Sequence, residues 1–222
     1  AQYGFDRGFD CLSALHADQG FPDLASLLCS ERITQRMLEW LRKVPQDKVF
    51  ILVWAVDTHA PYVAPDAFVT RFLSRPGASR DGSIRAILTA RTESQFRALI
   101  DLYDAEICHN DAQIGQIASA LRALGLWEDA TVLVTGDHGE MFMEHGHFMM
   151  HGGAPYHEVV HVPLILKVPG LRSERNGRLG GLIDVMPTLL DLSGIPIPET
   201  CQGRSLFQAP LAPHIVSESF RG

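Results

Sequence analysis

Residues Val132 to Glu140 read Val-Leu-Val-Thr-Gly-Asp-His-Gly-Glu, a short apolar run that stops at an adjacent carboxylate and imidazole. The run from Thr131 to Val134 is β-branched and apolar, as a buried strand requires, and Gly136 lets the chain turn sharply as it leaves the sheet. In open α/β sheets ligands bind beyond the carboxyl ends of the strands. Asp137 and His138 therefore stand where a metal or a substrate would be met. A solvated polar turn could carry the same short motif, so the rest of the chain has to decide.

Upstream, Ile33, Met37, Trp40, Leu41 and Val44 recur at helical spacing and Pro45 ends the pattern, which predicts an amphipathic helix. It leads into Val49 to Val56, apolar on both faces as a central strand covered by helices on each side would be. That strand ends at Asp57-Thr58-His59-Ala60-Pro61-Tyr62. A Pro, Gly, Ser and Arg-rich stretch from Ser74 to Ser83 predicts an exposed loop. A long helix follows, with Phe96, Leu99, Ile100, Tyr103, Ile107, Ile114, Ile117, Leu121 and Leu124 as its expected buried stripe and Gly125 as its C-terminal cap. Val162 to Val168 reads as another strand, with Pro163 near its start where a missing N–H is tolerated. Asp184 is placed to cap a short helix from Val185 to Leu192, closed by Gly194. Helices alternating with short apolar strands predict an α/β fold: a central, predominantly parallel sheet flanked by helices on both faces.

Composition narrows the function. A chain of 222 residues is long enough for one large domain. A net charge of -7 and a pI near 5.8 leave no basic footprint for nucleic acid or an anionic membrane surface. The longest apolar run, Val49 to Val56, is far short of the ~20 residues a membrane span needs. Cys11, Cys29, Cys108 and Cys201 are scattered without a CxxC pair, which predicts ordinary buried thiols and leans toward a reducing interior. The N-terminus shows neither an initiator Met nor a signal pattern, and reads as the middle of a longer chain.

Two strands thus end in potential ligands, the first delivering His59 and the second Asp137 and His138. The Gly and His-rich stretch from Glu140 to His151 is expected to fold over the same rim and bring His145, His147 or His151 with it. Four histidines between 138 and 151 beside a strand-end Asp favour a metal site. Carboxylate oxygen suits calcium or magnesium, whereas an imidazole ligand shifts preference toward manganese, iron or zinc. Asp57, Glu140 and Glu144 could add further carboxylates.

The order of segments resembles the sulfatase family of the alkaline phosphatase superfamily. Gly4-Phe5-Asp6-Arg7-Gly8-Phe9-Asp10 is similar to its GFDrGFD segment, and Asp57 to Tyr62 to its d-x-H-x-P-Y motif. Tyr103-Asp104-Ala105-Glu106, with Asp111 and Ile114-Gly115, resembles its Y-x-a-e-I-x-x-x-D-x-x-I-G helix. Asp137-His138-Gly139-Glu140 resembles its D-H-G-E metal motif, and His151-Gly152 through Tyr156 with Val162-Pro163 resembles the segment after it. Asp184 to Leu190 and Gln202-Gly203-Arg204-Ser205-Leu206 are similar to its D-i-x-P-T-L-L and G-r-S-L signatures.

The resemblance implies a metal-dependent sulfuric ester hydrolase. Asp137 and His138 would ligate a divalent cation, calcium by the resemblance, with manganese, magnesium or zinc as alternatives. His59 and His151 would be the catalytic histidines, His59 against the sulfate or leaving-group oxygen and His151 near the sulfate. The substrate implied is a small-molecule sulfate ester, or a phosphate ester. Residues 195–222 would begin the C-terminal subdomain of an otherwise single domain, incomplete at both ends. The family's nucleophile, a Cys or Ser in C/S-x-P/A-x-R whose Cys becomes formylglycine, is matched by none of Cys29 to Ile33, Ser74 to Ala78 or Cys201 to Ser205. In the family that segment precedes the block that begins this chain, so the expectation is a fragment inactive by itself. A phosphonate monoester or phosphodiester hydrolase is the near alternative, because Asp-His in place of Asp-Asn also occurs in that branch. A non-catalytic module and a metal-binding protein without catalysis are the alternatives from other classes.

Overall fold

The computed structural model describes residues 7–13, 30–44, 48–146, 149–151, 154–208 and 214–218, and the chain divides into two compact units, Ala1–Trp127 and Glu128–Gly222.

The first unit is helical where it is regular. It contains α1 (Ser30–Leu41), α2 (Asp66–Phe72), α3 (Ile84–Thr89) and α4 (Glu93–Ala123), and both α1 and α2 pack on α4. Helix α4 begins with a reciprocal capping box: the Thr92 hydroxyl accepts from the Gln95 N–H while the Gln95 side chain accepts from the Thr92 N–H. It ends in a Schellman motif. Gly125 donates to the Arg122 carbonyl and Leu126 to that of Leu121, with Gly125 at φ 71, the left-handed geometry in which glycine carries no Cβ penalty. Leu41, Tyr62, Val69, Ile87, Leu99 and Leu102 form the apolar core. Pro45, expected to end the first helix, lies outside the described residues.

One expectation for this unit needs correction and a second finds no pairing among the described residues. The buried stripe of α4 runs through Ala98, Leu99, Leu102, Ala105, Glu106, His109 and Gln113, whereas Ile107, Ile114 and Leu124 are exposed. Apolar periodicity locates the hydrophobic face of a helix, but α1 and α2 select a rotated face that carries polar side chains into the core. The stretch from Val49 to Val56 belongs to no strand ladder among the described residues, and Phe50, Leu52 and Trp54 are each 60% exposed or more. A strand is defined by its neighbours' hydrogen bonds, which composition alone does not supply.

The second unit carries β1 (Val132–Thr135), β2 (Met141–Phe142), β3 (Met149–Met150), α5 (His157–Val160), β4 (Leu164–Lys167), a 3-10 turn (Leu182–Asp184) and α6 (Val185–Leu192). β1 pairs antiparallel with β4, Val132 opposite Lys167 and Thr135 opposite Leu164. Lys167 Nζ donates to the carbonyls of Glu128 and Ala130, fastening the segment that enters β1. β2 and β3 form a small antiparallel hairpin. Among the described residues every strand pairing is antiparallel, so the expected parallel sheet has no ladder here.

The α6 boundaries match expectation, but Asp184 does not cap it through its side chain. Its carboxylate accepts instead from the N–H groups of Gly181 and Arg204. Thr188 donates its hydroxyl to the Asp184 carbonyl and accepts from the Leu206 N–H, and the Ser205 hydroxyl donates to Asp191. The two C-terminal signatures are thus one packed hydrogen-bonded unit. Of the cysteines, Cys11 is exposed and Cys108 and Cys201 are half-buried, all with free thiols; Cys29 lies outside the described residues. No helix among the described residues is long and apolar enough to cross a membrane.

Candidate active site

Each unit positions part of the predicted constellation. In the first, His59 is exposed on the turn after the apolar stretch, where its N–H donates to the Val56 carbonyl. Its Nδ1 lies 2.6 Å from the Ala60 carbonyl oxygen. A carbonyl can only accept, so Nδ1 carries the hydrogen in that contact.

The turn is held from beneath at both ends. Asp57, 3% exposed, accepts from the Ser30 N–H and hydroxyl, which places a carboxylate at the start of α1 where helix N–H groups and the macrodipole favour it. Glu106, 1% exposed, accepts from the Val63 N–H. Burial pushes the Glu106 carboxyl up to about 8; the Val63 N–H opposes that rise and the nearby Asp57 charge adds to it. His109 lies beside them with Nδ1 3.9 Å from Asp57 and its ring 5.0 Å from that of Phe68. Among the described residues, Asp57, Glu106 and His109 are the group of three whose ligand atoms come within a metal's reach. Asp57, a candidate carboxylate for the strand-end rim, here anchors the turn through Ser30.

In the second unit, Asp137 and His138 leave β1 in an open turn, their side chains 69% and 36% exposed. Asp137 Oδ1 accepts from the His138 N–H, and His138 Nδ1 lies 2.9 Å from the Gly139 carbonyl, which leaves Nε2 as the acceptor. His138 Nε2 is 3.9 Å from Asp137 Oδ1, too long for a hydrogen bond. An exposed carboxylate and an imidazole oriented by its other nitrogen suit two ligand positions of a divalent cation.

The β2–β3 hairpin does return a histidine to this turn. His151 stacks on His138 at 4.0 Å between ring centroids, and its Nδ1 lies 3.3 Å from Glu140 Oε1. Met150, immediately before it, has φ 74, a conformation that costs a side-chain-bearing residue roughly 1–2 kcal/mol. His145 goes elsewhere: it bonds Glu158 at 2.9 Å and stacks on Tyr156 at 3.6 Å. The hydrogen bond from His145 holds the Glu158 carboxyl below its ordinary range. Glu144 accepts from the Phe142 N–H within the hairpin, and His147 lies outside the described residues. Of the candidate carboxylates in this unit, Glu140 and Glu144 are therefore both engaged by the hairpin.

Gly139 belongs to the motif for a packing reason. A Cβ there would meet the Glu158 carbonyl oxygen at 2.0 Å, and its N–H donates to the Val159 carbonyl at 2.7 Å. Glu106 lies within the Tyr103 to Gly115 motif, and His109, which the motif does not single out, is buried beside it. The signal available was the Glu106-Ile107-Cys108-His109 spacing, which places carboxylate and imidazole one helical turn apart.

Solved structures of the alkaline phosphatase-like fold match this arrangement of a helical unit and a strand-turn unit. The phosphonate monoester hydrolase of Agrobacterium radiobacter superposes with a TM-score of 0.65 at 23% identity, over 80% of this chain and 41% of its own. A protein from a Bacteroides thetaiotaomicron locus for the metabolism of multiple glycosaminoglycans gives 0.64 at 25% identity, over 79% of this chain and 37% of its own. Residues 2–195 match the sulfatase family, and the chain belongs to it. Human arylsulfatase K is 30% identical over 192 residues, covering 83% of this chain and 30% of that protein, and the mouse protein is 28% identical over 78% of this chain and 36% of its own. The chain thus spans about a third of the length of these relatives.

Proposed function

We propose that this chain supplies one part of the active site of a metal-dependent sulfuric ester hydrolase, with Asp137 and His138 as two ligands of a divalent cation and His59 and His151 as the residues that meet the ester. The observation that carries this reading is the exposed turn after β1, where a carboxylate and an oriented imidazole stand beside a second histidine delivered by the hairpin. When bound, the cation would polarise the ester and neutralise charge on its oxygens. Calcium is the ion the family resemblance favours.

Asp137 contributes negative charge at an open position, and His138 presents Nε2 because Gly139 engages Nδ1. Glu140 accepts from His151 Nδ1, a carboxylate partner suited to the imidazolium, whose Nε2–H would donate to an anionic sulfate oxygen. His59, oriented by the Ala60 carbonyl, would act as the imidazolium, keeping its Nδ1 hydrogen on that carbonyl and giving its Nε2 proton to the leaving-group oxygen as the ester bond breaks. The nucleophile, formylglycine by the resemblance, would come from a segment outside this chain, and the chain alone would be inactive. The stretch from Val49 to Val56 takes its place as a covered strand of a predominantly parallel sheet; its two-sided apolar composition supports this. Residues 195–222 begin the C-terminal subdomain in the same reading.

The experiment is a competition on the full-length polypeptide between an aryl sulfate, a bis-aryl phosphate and a phosphonate monoester. Preference for the sulfate ester, lost on chelation and restored by calcium, is expected. Preference for either phosphorus ester would move the assignment to the phosphonate monoester and phosphodiester branch, which the Asp-His pair also fits. Inertness toward all three would leave the non-catalytic alternatives.

A further inference from the structure

Asp57, Glu106 and His109 take no part in the proposed reaction, yet they are 3%, 1% and 2% exposed. Buried charged and polar groups persist only where something compensates them. Part of the compensation is visible: Ser30 donates to Asp57 and the Val63 N–H to Glu106. The other part is not, because Glu106 Oε2 and His109 Nδ1 are buried without a hydrogen-bond partner among the described residues. One ligand atom from each of the three residues lies within 4.8 Å of the other two, and the closest described approach of His109 to Asp57 is 3.9 Å. That gap is too wide for a direct hydrogen bond and of the size that an ion between the side chains would span.

The donor set is specific. Glu106 and His109 stand at i and i+3 on α4, the Glu-x-x-His spacing by which one helix face presents a carboxylate and an imidazole to a metal. Asp57 adds a second carboxylate from the turn. Two carboxylates and one imidazole suit a first-row transition dication better than calcium or magnesium, which favour all-oxygen shells. We propose that Asp57, Glu106 and His109 bind a structural zinc or manganese ion that ties the His59 turn to α4, a site composed of residues other than the Asp137 and His138 pair.

This inference does not rest on the proposed reaction, and its readout is ion content. The chelator-treated chain is dialysed against Zn2+ or Mn2+ and its bound metal measured by elemental analysis. Uptake of one ion that weakens at least about tenfold in Glu106→Gln and in His109→Gln, but persists in the Asp137→Asn, His138→Gln double variant, is expected. Uptake indifferent to the Glu106 and His109 changes, or no retained ion at all, overturns the site. Because buried substitutions can unfold a chain, the unaltered protein provides a second measurement. Anomalous diffraction from zinc-soaked crystals should show a peak between the three side chains, and ordinary density there with no anomalous signal overturns the proposal equally.

Discussion

The turn that carries His59 and the turn that carries Asp137 and His138 both follow an apolar run, and they are built in opposite ways. The first is supported by buried carboxylates, with Asp57 bound to Ser30 and Glu106 to Val63, while His59 is exposed. The second has its polar side chains in the open and its support in the backbone, where Gly139 lies against α5 and the hairpin leads back to His151. A buried anchor fixes direction at a cost in desolvation. An open turn keeps ligand atoms available and depends on a close backbone fit for its direction.

The sharpest test of this contrast is activity against folding. Asp137→Ala should reduce kcat/KM for an aryl sulfate by on the order of a thousandfold in the full-length polypeptide while thermal melting stays within a degree or two. A melting loss as large as the activity loss would erase the distinction. Asp57→Ala should do the reverse in the isolated chain, destabilising it by about 1–3 kcal/mol in denaturant titration because the Ser30 N–H and hydroxyl lose their acceptor in the interior.

A smaller effect separates the carboxylates by pH. Glu106 titrates near 8 in the fold against an ordinary value of 4.5. Between those values the folded chain binds more protons than the unfolded one, so stability falls as pH rises through that window, by at most about 1.4 kcal/mol per pH unit. Melting followed from pH 4.5 to 8 with chelator present should show this decline, and Glu106→Gln should flatten it. An unchanged slope would mean that Glu106 is not the group responsible. Smallest of all, Arg80→Ala should cost under about 1 kcal/mol, because the Arg80–Asp66 pair is largely solvent-exposed and screened. A larger loss would show that loop 74–83 braces the core.

Local signals carried much of this architecture. β1, β4 and α6 are bounded by changes in periodicity and by glycines, and the structure places them where the pattern does. The Gly125 stop is equally plain, because only glycine meets a left-handed C-terminal position without strain. The buried stripe of α4 is not legible in its periodicity, since Ile107 and Ile114 look like core and are exposed, while Glu106 and His109 look like surface and are buried. That choice belongs to α1 and α2, and no helix can express its neighbours' positions in its own periodicity. The convergence of His151 with Asp137 and His138 was anticipated from histidine density, but the departure of His145 toward Glu158 and Tyr156 depended on a partner thirteen positions away.

The close approach of Gly139 to the Glu158 carbonyl has a consequence for large-scale mutagenesis. A scan that scored activity alone would rank every substitution at Gly139 as damaging, beside those at Asp137 and His138, and would assign all three to chemistry. Abundance measured in the same library would divide them, because a side chain at position 139 collides with backbone that cannot rotate out of its way. Such variants should disappear from the soluble pool, whereas inactive Asp137 and His138 variants should accumulate normally.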